Sequence, residues 1–137
     1  MKLYTSYFGN LKKLRDAGVI PIGISLYPPR WFKGLSIQQL APHRYMLDDK
    51  LTEEEYTRLY KDRVLRQLLP TSILKQIETL SSGRDVALLC YEKPGDFCHR
   101  HIVADWLRIE CGIEINEFTI LAKEPTNSPD SSQQSLF

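Results

Sequence analysis

Five residues with reactive side chains lie close together between positions 90 and 100: Cys90, Glu92, Cys98, His99 and Arg100. A cysteine thiolate is a nucleophile, a carboxylate or an imidazole can transfer protons, and a guanidinium binds anions. This combination predicts a reactive site. The alternative interpretation is structural: Cys98 packs as a small apolar residue, and His99 satisfies a backbone carbonyl group.

The cluster extends from the end of a predicted strand to the start of a predicted helix. Residues 86–89 are all apolar, which is typical of a strand covered on both faces. If the strand continues, Cys90 and Glu92 project to the same side of the sheet. A turn-forming segment at 94–96 then ends the strand, and its last residue, Asp96, is the predicted N-cap of the helix.

The spacing within this helix predicts where each reactive side chain points. One broad apolar face contains Ile102, Val103, Trp106, Leu107 and Ile109. His99 falls near the middle of that face, Cys98 and Arg100 lie at its two edges, and His101 lies outside it. We therefore expect His99 to point inward, beside the end of the strand.

The rest of the chain alternates between strand and helix patterns. Strands are predicted at 2–8, 19–26, 44–47 and 113–118, and helices at 11–17, 52–69 and 72–80. This alternation predicts a single compact α/β layered domain, with a mostly parallel sheet flanked by helices. We place the domain at residues 1–122, followed by a disordered polar tail at 123–137.

Composition excludes little about function. The 137 residues carry a net charge of +1, which gives no general preference for nucleic acid, membranes or acidic substrates. No apolar run reaches the roughly 18 residues of a membrane span, and no signal-peptide core follows the first residues. The three cysteines have no regular spacing, which predicts reduced thiols and a cytoplasmic location. The common glycine-rich nucleotide motifs and the G-x-S-x-G motif are missing from the sequence.

The predicted topology indicates where a ligand would bind. In parallel sheets, ligands lie outside the carboxyl ends of the strands, and this edge would bring Ser6, Ser25 and Arg30 near the reactive cluster. The N-terminus of a helix also favours anions. We therefore expect a small anionic ligand, either a nucleotide or a phosphorylated compound, and no cofactor.

The first functional hypothesis is an enzyme or ligand-processing domain at this edge. Cys98 would be the nucleophile, and His99 and Glu92 would transfer protons. The ligand-binding residues would be Arg100, Arg30, Ser6 and Cys90. The sequence names no substrate, reaction or oligomeric state.

Two further hypotheses use other features of the same edge. The segment Arg30-Trp31-Phe32-Lys33 combines cationic and stacking side chains, which is typical of a non-catalytic module that binds nucleic acid or protein. A metal could instead bind Cys90, Cys98 and His99. The seven residues between the two cysteines do not match the short spacings of usual zinc sites, so we assign no metal ligands.

The reactive cluster resembles the signature of the family called domain of unknown function 488. In that family, a strand ending in Cys-x-Glu is followed by a short loop and by Cys-His-Arg at the start of a helix. The match falls on the five reactive residues, and the resemblance covers about residues 2–120. Family members commonly carry Asp-Val-Arg after the second strand, where this chain has Gly23-Ile24-Ser25, so the roles of those charged residues do not carry over. The resemblance implies a compact α/β domain in a prokaryotic or phage cytoplasm, without a settled activity.

Overall fold

The computed structural model describes residues 1–91 and 97–119. Strands and helices alternate along these residues, which confirms the predicted α/β class. The strands are β1 (Leu3–Tyr7), β2 (Ile20–Gly23), β3 (Leu35–Ser36), β4 (Val86–Cys90) and β5 (Ile115–Glu117). The helices are α1 (Leu11–Asp16), α2 (Glu53–Arg63), α3 (Pro70–Ser81) and α4 (His99–Cys111). The predicted role of Glu92 and the predicted tail at 123–137 lie outside the described residues. The prediction that Asp96 is the N-cap of the last helix is wrong, because α4 begins at His99 and its N-cap is Cys98.

The strands form one five-stranded parallel sheet in the order β3-β2-β4-β1-β5. All residues of the central strand β4 are buried, as its apolar run predicts. Successive side chains of β4 point to opposite faces. Val86 and Leu88 belong to the larger core cluster, and Ala87 and Leu89 belong to the smaller one.

The two faces of the sheet are covered by different helices. The larger core cluster contains residues of α2, α3 and α4, for example Tyr60, Ile77 and Val103. The smaller cluster contains Leu11 and Leu14 of α1. The fold is therefore a three-layer arrangement, with the sheet between the two sets of helices.

Local sequence signals explain where the helices begin and end. Thr52 and Glu55 form the capping box at the start of α2. The Glu55 nitrogen lies 3.0 Å from the Thr52 hydroxyl oxygen, and the Thr52 nitrogen lies 2.8 Å from a Glu55 carboxylate oxygen. Pro70, which lies between the predicted helices 52–69 and 72–80, is the first residue of α3, because proline suits the first helical turn. Gly112 ends α4 at φ 65°, a left-handed conformation that glycine adopts without steric cost.

Two predictions about individual elements are wrong. The predicted strand at 44–47 is a 3-10 helix, and the third strand is instead the two-residue β3. Ile109, predicted on the buried face of α4, is 78 % exposed. The buried stripe of α4 is centred on Arg100, Val103 and Leu107, and Ile109 falls almost opposite its centre.

All strands run in the same direction, so β1, β2 and β4 end at one edge of the sheet. The segments that follow these strands therefore start from the same edge, as the predicted topology requires. Within the described residues, no helix is long and apolar enough to cross a membrane.

Candidate functional site

Two cysteines meet where β4 ends and α4 begins. Cys90 is the last residue of β4, and Cys98 is the N-cap of α4. Their sulfur atoms are bonded to each other, with the Cα atoms 7.2 Å apart, whereas Cys111 is a free thiol. The expectation that all three cysteines are reduced is therefore corrected for this pair. The spacing of the cysteines in the sequence did not reveal the bond. The two sulfurs meet because the chain turns back after β4, so that the start of α4 lies beside the end of the strand.

A buried arginine lies behind the cysteine pair. Arg100 is 0 % exposed, and its Nη1 donates a hydrogen bond to the Cys90 sulfur at 3.0 Å. Its Nε and Nη2 bind the two carboxylate oxygens of Glu117, each at 3.2 Å. Thr5 donates a further hydrogen bond to Glu117 at 2.6 Å. A fork of this kind fixes the plane of the guanidinium and directs Nη1 at the sulfur.

His99 is held in one orientation and one tautomer. Its Nε2 lies 2.7 Å from the carbonyl oxygen of Ile24. Because a carbonyl oxygen only accepts, Nε2 carries the proton, and Nδ1 of the neutral ring is left unprotonated. That atom lies 3.8 Å from the Cys98 sulfur. Burial, opposed by the Ile24 hydrogen bond and assisted by the charge of Arg100, lowers the pKa of His99 from 6.5 to about 4. The ring is therefore neutral at pH 7.

A cavity of about 310 Å³ opens beside Cys98 and His99. It lies between the loop after β2, the start of α2 and the start of α4. Most of its lining is aromatic or aliphatic, from Leu26, Tyr27, Pro42, Met46, Leu47, Leu51, Tyr56, Tyr91 and Phe97. Its other polar lining residues are Ser25, Asp48, Thr52 and Glu53. This volume is at the lower end of the range for small-molecule sites.

The structure brings together four of the seven predicted site residues: Cys90, Cys98, His99 and Arg100. Ser6 lies away from them, because it points to the face of the sheet that α1 covers, where Asn10 donates a hydrogen bond to it. Arg30 is exposed and does not line the cavity. Glu92 lies outside the described residues.

In the loop proposed for nucleic-acid contact, one aromatic side chain lies in the core and the other lies at the surface. Phe32 is buried against Phe8, with ring centroids 5.0 Å apart. Trp31 is 58 % exposed, and Arg30 and Lys33 are also exposed. One aromatic side chain of this segment is thus available for stacking.

Sequence reasoning did not identify Glu117 or the aromatic lining of the cavity. Glu117 reaches Arg100 because β5 aligns it with Thr5 in the sheet, a pairing that no local pattern indicates. Tyr56 lines the cavity and packs edge-on against Phe97, with ring centroids 5.3 Å apart. The available sequence signal was the spacing of four residues between Tyr56 and Tyr60, which places both side chains on the same face of α2, where their rings stack.

Three possible metal ligands also meet here. The Cys90 and Cys98 sulfurs and a ring nitrogen of His99 lie within 4.8 Å of one another, and all three residues are buried. His99 is in the tautomer that a metal ligand requires, because its Nδ1 is unprotonated and its Nε2 donates to a carbonyl oxygen.

Comparison with known proteins gives a match to a protein family. A family model described as "Active DUF488-N3 subclade" matches residues 7–110. The matched range includes the cysteine pair, His99 and Arg100. Neither the curated proteins nor the solved structures contain a match to this chain.

Proposed function

Since the chain belongs to the DUF488 family, we propose that it is a cysteine-dependent enzyme that acts on a small anionic molecule, either a nucleotide or another phosphorylated compound. The observation that carries this proposal is the position of Cys98. Cys98 lines a cavity of small-molecule size, and its sulfur lies 3.8 Å from the unprotonated nitrogen of a neutral histidine. The description of the matched subclade as active agrees with a catalytic role.

In the proposed reaction, the reduced Cys98 is the nucleophile and His99 is the base. Nδ1 of His99 receives the thiol proton, and the thiolate attacks the electrophilic atom of the ligand. The carbonyl oxygen of Ile24 fixes the imidazole by accepting its other N–H. Glu92, two positions after Cys90, remains the second proposed proton-transfer residue.

The anionic group would lie at the start of α4. Cys98 is the N-cap of this helix and forms no side-chain hydrogen bond to it, and the positive end of the helix dipole at this position favours an anion. The apolar and aromatic residues of the cavity would contact the uncharged part of the molecule, including a nucleobase where one is present.

Arg100 is assigned a positioning role in this proposal. Its guanidinium contacts the Cys90 sulfur and Glu117, and it does not line the cavity. Ser6 and Arg30 are not among the proposed ligand contacts, because neither residue lines the cavity.

Thermal-shift and calorimetric titrations of the reduced protein would test the proposal. The probes are adenosine monophosphate, ribose 5-phosphate and inorganic phosphate. We expect binding of at least one probe, and its loss in His99→Gln, because that variant removes the imidazole ring from the cavity lining and Nδ1 from beside Cys98. The matched control is Cys111→Ser, which removes a thiol at the far end of α4. Equal affinity in His99→Gln and the native chain would contradict the proposal.

A metal centre is the second candidate, favoured by the three clustered ligand atoms. Reduced Cys90 and Cys98 with His99 would supply three ligands to Zn²⁺, and the cavity would leave the fourth position open to water or a ligand. Elemental analysis of protein purified under reducing conditions tests this candidate. About one zinc per chain, lost in Cys98→Ser and retained in Cys111→Ser, would favour it over the nucleophile mechanism.

A non-catalytic nucleic-acid module is the third candidate, favoured by the exposed side chains of Arg30, Trp31 and Lys33. It predicts binding to single-stranded oligonucleotides that weakens as the salt concentration rises and is lost in Trp31→Ala. The absence of binding at low salt would eliminate this candidate.

A further inference from the structure

Both cysteines are buried, but they differ in their position relative to the cavity and in their partners. Cys98 lines the cavity, whereas Cys90 does not. Cys90 instead receives the hydrogen bond from the buried guanidinium of Arg100. A small reagent that enters the cavity therefore meets the Cys98 sulfur first, and Cys90 is reached through it.

We propose that Cys90 and Cys98 form a reversible redox switch, in which Cys90 caps the reactive sulfur of Cys98 and turns the site off. This inference rests on the proposed function of Cys98 as the nucleophile. The contact between the two sulfurs in the structure is the capped state. Paired cysteines of this kind in a reducing compartment are usually catalytic or redox-sensing.

The oxidising reagent would be a hydroperoxide small enough for the cavity. The Cys98 thiolate attacks the terminal oxygen of the hydroperoxide, so that an S–O bond forms, the O–O bond breaks and the alcohol or water leaves. The product is a sulfenic acid on Cys98. Nδ1 of His99 first accepts the thiol proton of Cys98. The proton then passes to the leaving oxygen.

Cys90 would then resolve the sulfenic acid. Its thiolate attacks the Cys98 sulfur, the S–S bond forms, the S–O bond breaks and the oxygen leaves as water after protonation. The two thiols lose two electrons in total, and the hydroperoxide gains them. Arg100 favours this step because its guanidinium, directed by Glu117, stabilises the Cys90 thiolate at 3.0 Å.

Reduction would restore the site by thiol–disulfide exchange. A small thiol attacks the Cys98 sulfur from the cavity, forms a mixed disulfide and releases Cys90 as a thiolate. A second thiol then releases Cys98. The aromatic lining leaves space for a small thiol beside Cys98 within the 310 Å³ cavity.

The test counts and locates thiols in the native chain. The reduced protein is treated with hydrogen peroxide, and peptide mass spectrometry then identifies cross-linked cysteines. We expect two of the three thiols to disappear, a Cys90–Cys98 cross-link, and recovery of all three thiols with dithiothreitol. Iodoacetamide should alkylate Cys98 in the reduced protein and fail to do so after oxidation.

Two variants check the order of the steps. In Cys90→Ser, peroxide should leave a sulfenic acid on Cys98 that dimedone traps, because no resolving thiol remains. In Cys111→Ser, the cross-link should form as in the native chain. If Cys90→Ser does not fold, the cross-link map of the native chain still decides the question.

Three outcomes would overturn the switch: oxidation of Cys98 beyond the sulfenic acid while Cys90 stays a free thiol, a cross-link to Cys111, or bound zinc that protects both thiols from peroxide. None of these measurements uses a ligand. Failure of adenosine monophosphate, ribose 5-phosphate and phosphate to bind would therefore contradict the proposed function and leave the cross-link result intact.

Discussion

At the scale of single residues, the site is controlled by buried polar side chains that each have a fixed partner. His99 is oriented by the Ile24 carbonyl oxygen, and Arg100 is oriented by Glu117. Burying a polar group without a partner costs about 1–3 kcal/mol, and burying an unpaired charge costs more. These partners therefore keep the site in one geometry, and their removal should be measurable as lost stability.

The protonation of His99 should make stability depend on pH. Its pKa is about 4 in the folded protein, below the 6.5 of an exposed histidine. Between these values the unfolded chain binds the proton more strongly, so stability falls as the pH decreases. At 1.36 kcal/mol per pKa unit, the total loss is about 3 kcal/mol.

Chemical denaturation at pH 7 and pH 4 would measure this loss. In His99→Gln, whose side chain can also donate to a carbonyl oxygen, the change with pH should be smaller by about 3 kcal/mol, because glutamine does not titrate in this range. An identical pH dependence in the two proteins would show that His99 is not the titrating group.

The ion pair between Arg100 and Glu117 should contribute strongly to stability. Glu117→Gln removes the negative charge that faces a fully buried guanidinium, and removing one partner of such a pair costs about 3 kcal/mol or more. Glu114→Gln, an exposed position near the same strand, is the control and should change stability by no more than about 0.5 kcal/mol. Equal unfolding free energies for the two variants would contradict this prediction.

At the scale of elements, α2 serves the site as one wall of the cavity. Its Tyr56 lines the cavity, while Tyr60, one turn later, is buried against His99 with ring centroids 5.4 Å apart. The hydroxyl of Tyr60 donates to the carbonyl oxygen of Leu40 at 2.5 Å. This hydrogen bond attaches α2 to the segment before it, and burial raises the pKa of Tyr60 well above its usual range.

Removing that hydroxyl should weaken the position of α2. Tyr60→Phe leaves the buried Leu40 carbonyl without this donor, so we expect a loss of about 1–2 kcal/mol in the free energy of unfolding. Tyr45→Phe, at a side chain that is 53 % exposed, should have almost no effect. A urea denaturation series compares them, and equal effects would indicate that the hydrogen bond contributes nothing.

At the scale of the whole molecule, stability should be greatest at the centre of the sheet. β4 is paired on both sides and buried on both faces, whereas β3 is a two-residue strand at the sheet edge. Segments with more buried contacts open less often. The cysteine pair is attached to the carboxyl end of β4, so one side of the site belongs to the most protected strand.

Native-state hydrogen exchange would measure this gradient. The amides of β1 and β4 should exchange only on global unfolding, and those of β3 should exchange through smaller local openings. Exchange in β4 as fast as in β3 would contradict the predicted order. The same experiment on the reduced and peroxide-treated protein would show whether oxidation stabilises the start of α4.

The sequence by itself determined the α/β class, most of the element positions and the location of the reactive cluster. These features depend on local patterns: the apolar run of β4, the capping box at Thr52 and the helical spacing after Cys98. Local patterns also misled at the start of α4. They placed Arg100 at the edge of the apolar face of the helix. The centre of such a face is found from its apolar residues, so a charged residue at the centre of a buried stripe is not recognised.

Only the tertiary structure decided how the reactive residues are paired. The Cys90–Cys98 contact, the Arg100–Glu117 fork and the aromatic cavity each join segments that are distant or that turn back on themselves. The structure also separated Ser6 from the site, because alternate residues of a strand point to opposite faces. Local patterns placed Cys90 and Cys98 at one site but did not show that they are bonded to each other. Strand register is set by long-range packing, so no local pattern could have predicted the partner of Arg100.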